Sequence, residues 1–239
     1  MKPQKFSSFL DVLVKIFRYN IKIVFANKFI YFLIAAFLFF AFIITISIIE
    51  DPNLNEETIY GFLVFPGILL IFYPVVYGIQ NDDDSKMLEI IFGIPDYRYK
   101  VWLVRFVITM IVVTANLFVF GLLANFALYR IEILPMLTQV LFPVTFLASL
   151  AFMFSTLIKS GNGTAIVMVI LGILFLIFSE PLEYSAWNLF LNPYNEPREM
   201  SETVWRSVIF KNRLYLAVGT VLGVLYGLFN LQFREKFIG

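Results

Sequence analysis

Six apolar runs dominate this chain of 239 residues, and each is long enough to cross a lipid bilayer. They cover 29–49, 59–79, 101–128, 135–158, 162–179 and 214–232. A spanning helix needs about 20 apolar residues at about 1.5 Å each. The hydrocarbon core holds no water, so every backbone N–H and C=O must find its partner within the segment, which makes such a run a helix. A membrane barrel would need apolar and polar residues in alternation, and Phe37-Leu38-Phe39-Phe40-Ala41-Phe42-Ile43-Ile44 has none. The third run is longer than the bilayer requires and should tilt or project. The expected class is an all-α membrane protein with six transmembrane helices.

Residues 1–28 read as a separate unit. Phe6, Phe9, Leu10, Leu13, Phe17, Ile21, Val24 and Phe25 recur at helical spacing, with Lys15, Arg18 and Lys22 on another face. That pattern predicts an amino-terminal interfacial helix, its apolar side in lipid and its basic side toward anionic headgroups. Residues 29–239 form the six-span domain. Lys and Arg set the orientation: thirteen of the 18 fall on the side of the chain ends and five on the other. Positive charge marks the inner face, so both termini are expected in the cytoplasm, with the chain multi-pass in the inner (cytoplasmic) membrane.

Composition excludes several chemistries. The chain has no Cys and no His, which removes thiol nucleophiles, imidazole bases and the usual zinc ligands, so no catalytic or metal-binding residues are assigned. A net charge of +1 gives no bulk attraction to nucleic acid. Lys159-Ser160-Gly161-Asn162-Gly163-Thr164 has glycines but lacks the order of a phosphate loop, and reads as the tight turn between spans four and five. No cofactor is expected on this chain.

The connection between spans two and three has the strongest local grammar. Asp82, Asp83 and Asp84 suit a helix amino-terminus. Gly93 can take a left-handed turn that ends the helix, Pro95 blocks its continuation, and Asp96 can cap the next helix. The expected product is one helix over 84–93, with Asp82, Ser85, Lys86 and Glu89 on a polar face and Met87, Leu88 and Ile91 opposite.

The stretch Leu88-Glu89-Ile90-Ile91-Phe92-Gly93-Ile94-Pro95-Asp96-Tyr97-Arg98, running into Trp102-Leu103-Val104-Arg105 and an apolar span, resembles the signature of type-two ABC exporter permeases. The resemblance covers about 25 residues in sequence and the whole chain in layout. It implies that 84–93 is a cytoplasmic coupling helix seated on a separate ABC ATPase subunit. Ser85, Lys86, Glu89, Gly93 and Arg98 would be the coupling residues, with Glu89 the leading contact. It also implies ATP and Mg on that partner, a second permease copy or homologue (a homodimer in the simplest case), and an extracellular helical hairpin before span six.

The remaining signals are weaker. Pro181, Pro193 and Pro197 break the 180–213 segment, and Ser201 is a good cap for an amphipathic stretch, so two short helices are expected there. Gly219, Gly223 and Gly227 form a small-residue face on span six, read as packing within one subunit ahead of a dimer contact. Thr114, Asn116 and Asn125 in span three are candidate path-lining residues. No acid or base lies deep in a run, which fits an apolar or amphiphilic cargo such as a lipid, peptide or drug-like molecule. The alternative class is an integral-membrane scaffold or assembly factor without transport. A lipid enzyme would need clustered acids, and the external Glu180, Glu183, Glu196, Glu199 and Glu202 read instead as a solvated loop.

Overall fold

The computed structural model describes residues 29–50, 54–93 and 96–233, so the interfacial helix expected over 6–27 lies outside the described residues. The helices are α1 (Phe29–Glu50), α2 (Glu56–Val76), α3 (Gly78–Asp84), α4 (Met87–Phe92), α5 (Val104–Ala127), α6 (Ile133–Ile158), α7 (Gly161–Ser179) and α8 (Glu202–Asn230). A π-helical turn, Arg98–Leu103, leads into α5. Among the described residues, six helices are long and apolar enough to cross a membrane, the second comprising α2 with α3 and the third the π turn with α5. They suggest a multi-pass membrane protein.

Helix α6 is the hub: it packs against α2, α5, α7 and α8. Helix α1 lies on α2 and α5, where Phe32 stacks on Tyr73 at 5.3 Å and Phe40 on Phe120 at 4.9 Å. Successive spans alternate in direction, so the start of α1, the α2–α5 connection and the end of α8 share one end of the bundle. The other end carries the segment 180–201. Large apolar side chains remain exposed along α1, α7 and α8, among them Phe42, Ile177 and Leu222. In water such a surface would aggregate; a bilayer is the solvent that accepts it.

Local chemistry explains the helix starts. Asn55 caps α2, its side chain accepting from the Thr58 amide at 2.9 Å, with Glu56 and Glu57 in the first turn. Pro66 and Pro74 sit inside α2 and Pro143 inside α6, all three buried between helices. The turn expected over 159–164 is confined to two residues: Lys159 takes a positive φ of 64°, and Ser160 caps α7, which already begins at Gly161, by accepting from the Gly163 amide.

Two expectations about the last span need correction. Helix α8 starts at Glu202, not at residue 214, and runs unbroken through Ile209 to Asn230. The stretch predicted as a short external helix is its first two turns. Residues 180–201 form a chain of turns with no helix. The helical pattern after Ser201 was real, but nothing interrupts it: Lys211, Asn212 and Arg213 are polar without breaking a helix.

The stripe Gly219, Gly223 and Gly227 faces α6. A Cβ at these positions would lie 2.5 Å from Phe146, 2.9 Å from Ser149 and 2.7 Å from Phe152. At these glycines α8 approaches α6 of the same chain closely.

Candidate functional site

The α2–α5 connection is built differently from the single helix expected over 84–93. Asp82, Asp83 and Asp84 close α3 and do not open a helix. Ser85 hydrogen-bonds back to the Asn81 carbonyl at 2.7 Å, and Lys86 adopts a left-handed φ of 56°, which breaks the chain direction. Helix α4 then covers only Met87–Phe92. Gly93 is right-handed, with φ −74°, and the second left-handed residue is Asp96, with φ 57°. The turns thus fall on Lys86 and Asp96, flanking a six-residue helix, and not on the glycine. Asp96 does not cap with its side chain; it pairs with Lys100 at 3.7 Å on the surface.

Amphipathicity of α4 matches the sequence reading. Leu88, Ile91 and Phe92 are buried, while Glu89 and Ile90 face outward, Ile90 at 64% exposure. Ser85, Lys86 and Gly93 are exposed beside them, and Arg98 is half-buried. Asp82 departs from that face. It is 4% exposed and forms an ion pair with Arg105, itself 9% exposed. The reason is the α3–turn–α4 break, which separates Asp82 from the helix that carries Glu89.

The connection is bonded to three spans. Asp82–Arg105 ties α3 to α5. Gln80 Oε1 accepts from the Gly161 amide at 2.5 Å, and Tyr77 Oη donates to Asn162 Oδ1 at 3.3 Å, tying it to α7. At the far side of α4, Tyr97 Oη donates to the Leu231 carbonyl and Arg98 Nη1 donates to Gln232 Oε1 at 3.2 Å, reaching the end of α8. Gly161 is required here, because a Cβ would strike the Tyr77 ring and Gln80.

A cavity of about 50 Å³ lies behind the ion pair, lined by Asn81, Asp82, Trp102, Arg105, Thr109 and Ser155 among others. Among the described residues, two buried side-chain N–H groups lack an acceptor, Trp102 Nε1 and Arg105 Nε, and both residues line this cavity. Arg105 also stacks over the Trp102 ring at 5.0 Å. A space of this size admits small hydrogen-bonding molecules such as water.

The expected path residues all lie on α5. Thr114 donates to the Met110 carbonyl at 2.7 Å and Asn116 to the Val112 carbonyl at 2.8 Å, both within α5. Asn125 accepts from the Ile131 amide at 2.8 Å and so shapes the α5–α6 turn. Each polar group is satisfied locally, and Thr114 also lines a cavity of about 310 Å³ with Phe106, Val107, Met110 and Ile111.

Sequence reasoning missed two buried cations. Arg105 sits inside the third apolar run, and a charge there needs a partner; the nearby Asp82–Asp84 cluster was the available signal. Arg213 is one of the five cations on the side away from the chain ends. It is buried at the 180–201 end, donating to Gln139 Oε1 at 2.8 Å, Asn212 Oδ1 at 2.8 Å, the Leu191 carbonyl at 3.2 Å and Tyr60 Oη at 3.4 Å. Close by, burial pushes the Tyr194 phenol up to about 12, with Glu56 adding to the shift.

Compared with family profiles, curated proteins and solved structures, the chain matches none of them.

Proposed function

We propose that this chain is the membrane subunit of an ATP-driven exporter of the type-two ABC class, paired with a second permease and driven by a separate ATPase subunit. What supports the reading most is the α2–α5 connection. One short surface helix presents Glu89 and Ile90 outward, while the segments on either side of it are bonded to α5, α7 and α8. A partner that displaces such an element displaces three spans with it. The sequence stretch 88–105, with its likeness to the permease signature, supports the same assignment.

In this mechanism the ATPase holds ATP and Mg, and closure of its subunits shifts the groove in which α4 rests. Helix α4 moves as a rigid piece because Leu88, Ile91 and Phe92 anchor it in the bundle. A nucleotide-driven change requires different affinities for two bundle states, and the bonds at Asp82–Arg105 and Gln80–Gly161 are where the states would differ. The excess of Lys and Arg at this end supports a cytoplasmic orientation for it, and the cytoplasmic membrane is the proposed location.

The test is co-purification from native membranes followed by ATPase assay. A phosphate-loop ATPase should accompany the chain, and Glu89→Lys should lower the permease-stimulated rate by about tenfold, the effect of roughly 1.4 kcal/mol, while membrane insertion is unchanged. Repeated purification without any ATPase would instead favour a non-transporting scaffold.

A further inference from the structure

The cavity of about 50 Å³ behind the inner ion pair lies where α3, the π turn, α5 and α6 meet. Its wall includes Asp82 of α3, Trp102 of the π turn, Arg105 and Thr109 of α5, and Ser155 of α6. Two of these residues carry a donor that no described residue accepts. Trp102 is 4% exposed and Arg105 9%, and the donors are Trp102 Nε1 and Arg105 Nε. The two side chains stack, with the guanidinium carbon 5.0 Å from the indole centroid. A buried N–H without an acceptor forfeits the bond it made to water in the unfolded chain, and folded proteins nearly always supply a replacement. Two such groups, on stacked side chains that wall one cavity, call for a shared acceptor.

The wall selects what that acceptor is. A metal or ammonium ion is excluded, because a cation cannot accept from an N–H. A halide or another small anion could accept both bonds. It would share the space with the Asp82 carboxylate, which already pairs with Arg105. Those two charges cancel, so an added buried anion would have no counter-ion to offset its desolvation. A neutral molecule that both accepts and donates meets no such cost. The Asp82 carboxylate can receive from it, since a carboxylate takes about four hydrogen bonds and Arg105 Nη1 supplies one. The Ser155 hydroxyl, which donates to the Phe152 carbonyl at 2.8 Å, keeps its lone pairs for the same purpose. Size agrees: one water needs about 10–15 Å³ of such space and two to four polar partners.

We propose that this cavity is a structural hydration site, in which a water accepts from Trp102 Nε1 and Arg105 Nε and donates to Asp82. The water bridges α3 to the π turn and α5. The site does not depend on the exporter reading. Under that reading it lies on the joint that the ATPase would displace, and a water touching both charges lets Asp82 and Arg105 part without either losing every partner.

The experiment is nuclear magnetic resonance of the full-length chain in detergent micelles with isotope-labelled tryptophan. The chain has three Trp, and Trp102→Phe identifies the indole signal of Trp102 by its loss. In the unaltered chain that indole proton should show rotating-frame cross-relaxation to the water resonance, with the sign that separates a bound water from proton exchange. Asp82→Leu combined with Arg105→Met removes two of the water's partners, so the cross-peak should disappear while the Trp102 signal remains. A cross-peak that survives in this double variant overturns the bridge. No cross-peak in the unaltered chain overturns the water assignment, and an indole shift that follows replacement of chloride by gluconate would put an anion in its place. Glu89→Lys, the test of the exporter reading, should leave the cross-peak unchanged, so the two proposals fail separately.

Discussion

At the scale of single residues, buried polar groups carry the sharpest consequences. Asp82 and Arg105 neutralise each other where little water reaches. Removing one partner leaves the other charged and buried, which typically costs about 3–5 kcal/mol, whereas replacing both by apolar residues is often near neutral. Arg105→Ala should therefore lower the thermal stability of the purified chain strongly, and Asp82→Leu added to Arg105→Met should recover most of the loss. A double variant as unstable as the single one would show that the pair does more than cancel charge. Trp102 offers a milder case. Its ring is buried and its Nε1 donates to no described residue. Trp102→Phe gives up some packing and the bond to the proposed water, about 0.5–1.5 kcal/mol for a typical hydrogen bond. The expected fall in denaturation midpoint is therefore well short of that of Arg105→Ala, and a rise would mean that the N–H is unsatisfied.

At the scale of elements, the contact between α6 and α8 is set by small residues. Gly223 leaves no room for a side chain against Ser149. Gly223→Leu should force the helices apart and cost about 1–3 kcal/mol, the usual penalty of overpacking. Gly172 on α7 has open space around it, so Gly172→Ala should be neutral or stabilising by up to about 1 kcal/mol through helix propensity alone. Parallel melting curves of the two variants check the pair. The connection obeys a different rule. Its two helices, α3 and α4, have seven and six residues, far too short to persist alone. Their shape comes from the bonds to α5, α7 and α8. Gly161→Val should loosen it by clashing with Tyr77 and Gln80, and this would register as faster proteolysis at residues 83–93 with the spans still folded.

At the scale of the whole molecule, the absence of Cys makes topology directly measurable, because any introduced thiol is the only one in the chain. Glu89→Cys and Glu196→Cys occupy exposed sites at opposite ends of the bundle. In intact cells a membrane-impermeant thiol reagent should label Glu196→Cys at once and Glu89→Cys only after permeabilisation. Labelling in the reverse order would invert the orientation and place α4 beyond the reach of a cytoplasmic motor.

Periodicity and run length alone were enough to identify six spans, because in a bilayer the backbone has no alternative to the helix. The α7 limits at 161–179 and the α6 limits at 133–158 lie within two residues of the runs read from sequence. The amphipathic burial of Leu88 and Ile91 was equally legible, since a helical period survives even in a six-residue helix. Three features were not legible. Asp82 and Arg105 are 23 positions apart and become partners only when α3 turns against α5. Arg213 reads as a surface charge until Gln139, Asn212 and Leu191 are folded around it. The apolar groove between α2, α6 and α7, walled by Val64, Phe72, Leu147 and Ile173 among others, is a gap between elements, and no run of residues encodes a gap. The sequence alone determined which segments leave water, because transfer of apolar surface is a local sum over residues. Only the tertiary structure decided how the buried charges are satisfied and where space remains, because both depend on distances between residues remote in the chain.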